Sequence, residues 1–142
     1  MKKQIFSLLL VLAAIVGLSS CNKDDDDVVN NKESFVGTWY VTQLTGGFAG
    51  EAIEYEHNEL IVYFYSDGKG KVVNNRKDGE PFASGTFTYN LDNKESSRHI
   101  STKCICINGV MSGLPLYYTF DGDKVYLAED VSDGFCYTLK RK

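Results

Sequence analysis

Proline is almost missing from this chain, with two residues in 142, and histidine is as rare. Turn-making therefore falls to thirteen glycines, which accept backbone conformations that other residues resist. No long window repeats its apolar residues with the 3.6-residue period of an amphipathic helix, so helix is expected to be scarce. The longest apolar run falls short of the roughly 20 residues a helix needs to cross a bilayer, which argues against a permanent span. Basic residues are outnumbered, 15 Lys and Arg against 19 Asp and Glu. An acidic surface argues against nucleic acid or an anionic membrane face as the natural partner. A nucleophile elbow and a Gly-rich phosphate loop are also lacking, so no catalytic residue is assigned and the chain is not expected to be an enzyme.

What is present begins with a leader. Lys2 and Lys3 precede an almost wholly apolar stretch, 5–18, which runs through Ser19 and Ser20 into Cys21. That is the layout of a secretory signal. Leu18-Ser19-Ser20-Cys21 resembles the lipobox of bacterial lipoproteins, in which the cysteine becomes the acylated amino terminus after cleavage. The resemblance implies lipid on Cys21, and several acyl chains hold a membrane where one binds reversibly. Asp24, Asp25, Asp26 and Asp27 follow at once; their mutual repulsion keeps a spacer extended. The run also looks like the surface-export signal of lipoproteins in the Bacteroidota, which implies an outer-membrane protein anchored by lipid at the cell surface. The expected division is a signal peptide at 1–20, an acidic tether at 21–34 and one domain at 35–142, since the length allows a single core.

Aromatic residues make up 13% of the chain, including nine Tyr and eight Phe, a composition that favours strands. Eight short apolar runs are legible at 36–44, 59–65, 70–75, 82–90, 99–107, 114–120, 124–129 and 135–141. Asp67-Gly68, Asp78-Gly79, Asn108-Gly109, Asp121-Gly122 and Asp133-Gly134 stand between runs as hairpin turns. A continuous antiparallel meander is the simplest topology, and about eight strands close into an up-and-down barrel, which removes exposed edges. Segment 45–58 is the long exception, expected as a mobile loop or one helical turn and a candidate lid. Alternation places Leu60, Val62, Phe64, Phe87, Tyr89, Tyr118, Phe120, Val125, Leu127, Tyr137 and Leu139 inside. Ile61, Tyr63, Tyr65, Tyr117 and Tyr126 fall outside as an aromatic stripe.

Gly37-Thr38-Trp39 at the head of the first run resembles the Gly-x-Trp signature of lipocalins. Phe64-Tyr65-Ser66-Asp67-Gly68, Gly85-Thr86-Phe87-Thr88-Tyr89, Gly122-Asp123-Lys124-Val125-Tyr126-Leu127 and Tyr137-Thr138-Leu139-Lys140-Arg141 follow in an order similar to that of small lipocalin-like lipoproteins of the Bacteroidota. The likeness spans 35–142 and implies that Arg141, on the last strand, packs over Trp39 of the first and closes the barrel base. The chain departs from lipocalins in its shortness, in the missing helix after the barrel and in the lack of any further lipocalin motif.

Three cysteines remain beside Cys21. Cys104, Cys106 and Cys136 are an odd set for an oxidising compartment, so at most one disulfide can form; a bridge to Cys136 would need the fifth and eighth runs to meet. Buried free thiols are the alternative. A metal site drawing on Cys104, Cys106, His57 and His99 has the wrong spacing, and no metal or cofactor is expected. Asp121, Asp123, Asp130 and Asp133 lie close in sequence, but turn chemistry accounts for Asp121 and Asp133 without calcium. Two functions stay open. One is a non-enzymatic barrel that holds a small apolar ligand or glycan fragment against Phe64, Phe87, Tyr89, Tyr118 and Tyr137. The other is a barrel filled by its own side chains that docks into a surface protein complex.

Overall fold

The structure, a computed structural model, describes residues 35–142 apart from 112 and 114. Cys21 and Asp24 to Asp27 lie outside the described residues. Among the described residues nine strands follow one another: β1 (Gly37–Gly46), β2 (Glu51–Glu54), β3 (Leu60–Phe64), β4 (Lys69–Asn74), β5 (Gly85–Asn93), β6 (Lys103–Gly109), β7 (Pro115–Asp121), β8 (Lys124–Glu129) and β9 (Phe135–Arg141). Each pairs antiparallel with its neighbour in the sheet, and β1 also pairs with β9. The sheet thus closes on itself as an eight-stranded barrel of β1 and β3 to β9, with β2 as an added strand on one edge of β1. The all-β meander expected from the sequence is the fold observed.

Alternation builds the wall. Leu60, Val62 and Phe64 on β3, Phe87 and Tyr89 on β5, Tyr118 on β7, Val125 and Leu127 on β8, and Tyr137 and Leu139 on β9 are all buried in one core cluster, with Phe120 packed against it. Pairing of β1 with β9 slips between Val41 and Gln43. A bulge of this kind bends a strand and re-aims the residues beyond it, and here it keeps both Val41 and Leu44 buried although they stand three positions apart.

Segment 45–58 is neither a loop nor a helical turn. Gly46 and Gly47, with φ of 124° and 75°, end β1 and turn the chain, and Glu51–Glu54 return along it as β2. The lid expected there is replaced by a hairpin arm, because β1 runs on past the point where β3 leaves it and offers an edge. Between β2 and β3 the chain breaks at 55–59, and Tyr55 joins the core.

Other boundaries moved for local reasons. Asn108-Gly109 does not turn; it prolongs β6 opposite Thr88 and Phe87. The glycine is required because a Cβ at Gly109 would lie 2.7 Å from the Thr86 carbonyl oxygen. β5 starts at Gly85 because Phe82 turns inward to the core instead of joining the ladder. β6 starts at Lys103, and His99 sits in a loop with φ of 55°.

Both ends of the barrel are stoppered. Phe35 is fully buried beneath β1, and the Trp39 indole Nε1–H donates to its carbonyl at 2.7 Å. Its ring lies 5.3 Å from Phe64, 5.0 Å from Tyr118 and 5.0 Å from Phe120. At the other end Phe82 packs on Tyr137 at 5.1 Å, joined in the core by Tyr55 and Met111. Each fully buried aromatic contributes about 1.5 to 3 kcal/mol by leaving water.

Candidate functional site

Of the five residues expected to line a ligand pocket, three are packed against one another and two against other aromatic rings. Phe64 meets Phe87 at 5.4 Å and Tyr89 at 5.1 Å, both edge-on. Tyr118 packs between Phe35 and Phe120, and Tyr137 lies beneath Phe82. The Tyr89 hydroxyl donates to the Tyr65 carbonyl at 2.8 Å. Burial pushes the Tyr118 hydroxyl up to about 12 and raises Tyr137 further, with Glu129 adding to the latter. These rings therefore stay neutral at any physiological pH. Among the described residues no buried side-chain nitrogen or oxygen lacks a hydrogen-bond partner, so none of them waits for a ligand.

At the base, Trp39 stands opposite Arg141 in the β1–β9 ladder. The Arg141 guanidinium carbon lies 4.3 Å from the indole ring centroid, within cation–π range. The same guanidinium donates to the Val36 carbonyl at 3.0 Å. Three elements are thus held by one side chain: the segment before β1, β1 itself and β9.

The three cysteines are free. Ile105 and Ile107 take the inward positions of β6, so Cys104 and Cys106 face outward. Cys136 faces outward on β9, since Tyr137 and Leu139 point in. Three strand spacings separate β6 from β9, roughly 14 Å and twice the reach of a disulfide. The bridge to Cys136 considered from the sequence does not form, because its two runs are three strands apart in the wall.

Cys104 is fully buried on the outer face, and the cover was invisible in the sequence. Segment 94–102 folds across β6 and β7 and is strapped down by Asp130, whose carboxylate accepts from the Ser96 hydroxyl at 2.8 Å, the Ser97 amide at 2.8 Å and the Arg98 amide at 3.1 Å. Tyr117, expected in an exposed stripe, is covered too, its hydroxyl donating to the Glu95 carbonyl at 3.3 Å. Burial lifts the Cys104 thiol to about 11, with Cys106 adding to the shift. Asp130 is thereby a loop anchor, its carboxyl held below the usual range by those amides. No group of three or more metal-ligating side chains exists among the described residues.

A concavity that sequence reading missed lies outside the wall. Where the chain breaks between β2 and β3 and β1 slips against β9, a cleft of about 350 Å³ opens, lined by Tyr40, Thr42, Tyr55, Glu56, His57 and the chain end Lys140, Arg141 and Lys142. The His57 ring lies 4.3 Å from that of Tyr40, and the Tyr55 amide donates to the Thr42 carbonyl at 3.0 Å across the break. His57, an exposed side chain, forms part of this wall. No signal in the sequence places residues 40, 57 and 140 together; only the closure of the sheet does so.

Comparison with protein-family models, with curated proteins and with solved structures returned no match to this chain.

Proposed function

We propose that this is a lipid-anchored protein of the bacterial outer membrane, held at the cell surface through Cys21, whose barrel is a non-enzymatic docking body within a surface protein complex. The lipobox-like Leu18-Ser19-Ser20-Cys21 and the acidic run Asp24 to Asp27 support the tether and the export. The lipocalin-like pattern of Gly37-Thr38-Trp39 with Arg141 supports a kinship with the small lipocalin-like lipoproteins of the Bacteroidota.

One observation supports the choice of docking over a ligand held in the lumen: the inward aromatic rings are buried and pack on other core rings. Small eight-stranded barrels either pack their lumen or keep room for one molecule, and here Phe35 and Phe82 stopper the two ends, Phe64, Phe87 and Tyr89 contact each other, and Tyr118 and Tyr137 pack on the stoppers. Partners then meet the outside of the barrel.

The test uses full-length protein in detergent and the cells that make it. A thermal-shift screen against fatty acids, haem and neutral oligosaccharides should give no concentration-dependent gain in Tm, and crosslinking on intact cells should recover a defined partner that is lost with Cys21→Ala. A gain of several degrees with a fatty acid or haem would show an open lumen and overturn the packed reading. Recovery of the partner with Cys21→Ala would remove the tether from the account.

A further inference from the structure

From the outer cleft we infer a second site, distinct from the tether and the docking role: a seat for a single pyranose bearing a carboxylate, such as a uronic acid residue of an acidic glycan. The cleft is large enough for one ring, since specific small-molecule sites begin at about 300 Å³, and measures about 350 Å³. Its lining of exposed Glu56, His57 and Lys140 places it at the surface, where a ligand can reach it.

Its charge is out of keeping with the rest of the molecule. On an acidic chain, Lys140 and Lys142 form one side, with Arg141 between them held over Trp39. Lys140 also stands directly opposite Lys124 in the β8–β9 ladder. Like charges facing across a ladder repel and destabilise the pair. Asp123 offsets part of this from 3.5 Å, but both its side chain and that of Lys140 are more than half exposed, so solvent screens the contact. An anion seated between the strand ends would relieve what remains.

The facing wall has the opposite requirement. Glu56 can accept from sugar hydroxyls, while the exposed His57 ring, tilted against Tyr40, supplies apolar surface for the C–H face of a ring, with the buried Tyr40 and Tyr55 forming the floor. A ligand that satisfies both walls carries one negative group at one end and neutral hydroxyl donors at the other. A bare anion leaves Glu56 uncompensated, and a neutral sugar leaves the lysines so.

Titration of full-length protein in detergent with galacturonate oligomers, against galactose oligomers of equal length, reads the assignment. Saturable binding of the uronate alone is expected, weakened at least tenfold by Lys140→Ala with Lys142→Ala and several-fold when salt rises from about 0.05 to 0.5 M. His57→Ala, an exposed position, should weaken it while leaving Tm unchanged, which separates a lost contact from a lost fold. Equal affinity for both oligomers, affinity retained in the double lysine variant, no binding of either, or binding to phosphatidylglycerol vesicles in place of the uronate would each overturn the assignment.

Discussion

Trp39 and Arg141 are 102 positions apart in sequence, yet directly opposed in the closing ladder. Removing the indole empties a fully buried site and should cost about 3 to 5 kcal/mol. Removing the guanidinium, which lies on an exposed residue, should cost about 0.5 to 1 kcal/mol. Urea unfolding of Trp39→Ala, Arg141→Ala and the pair together should show coupling; additive losses would separate the two residues. A second residue-scale effect is electrostatic. Arg76 holds Asp78 at about 2 through a paired contact, with distances of 2.6 and 3.0 Å. A carboxyl depressed in the folded state stabilises fully above its unfolded value near about 4, and the contribution disappears as pH falls toward the folded value. Stability measured from pH 5 down to 2 should fall, and Asp78→Asn should flatten the lower part of that slope.

At the scale of elements, the sheet is continuous but its cover is conditional. Segment 94–102 lies over β6 and β7 through the hydrogen bonds gathered by Asp130. Asp130→Asn removes the charge that makes those bonds strong and should loosen the strap without unfolding the barrel. In a background retaining Cys104 but with Cys106→Ser and Cys136→Ser, thiol labelling at pH 8 should then speed up several-fold at unchanged Tm. A labelling rate equal to that of the parent would mean the cover holds by packing alone. The arm β1–β2 has a different logic. β2 has a ladder on one side only, all four of its residues are exposed, and Phe48 at its tip is 96% exposed.

For the whole molecule, closure of β1 on β9 removes the edges of the barrel, so the far side of β2 is the edge left open among the described strands. Glu51 and Glu54 mark that edge, and charge on an open strand discourages pairing with a second copy. Glu51→Val with Glu54→Val should convert a monodisperse protein into concentration-dependent oligomers by analytical ultracentrifugation, while the unfolding midpoint changes little. A monomer that persists at millimolar concentration would show that the edge is blocked in another way.

Much of the barrel was legible in the residues. The period of two, the Asp-Gly turns at 67–68 and 121–122, and the inward set from Leu60 to Leu139 follow from local rules, because a strand exposes its two faces alternately whatever it pairs with. What escaped were contacts between residues with no local relation. Segment 45–58 was unreadable as an arm because β2 contains Glu51 and Glu54, residues poor in strand preference, and is held by an edge that only the bend in β1 provides. Phe35 and Phe82 look like ordinary aromatics in sequence, and become stoppers through the positions of the barrel ends. The Asp130 strap and the cleft at Tyr40, His57 and Lys140 arise where strands distant in the chain are joined. Sequence alone therefore determined the class of fold, its turns and its inner face, since these depend on spacing. Tertiary structure alone decided how the inward rings pack on one another and that the cleft at Tyr40, His57 and Lys140 lies outside, since packing depends on how side-chain volumes meet once the sheet has closed.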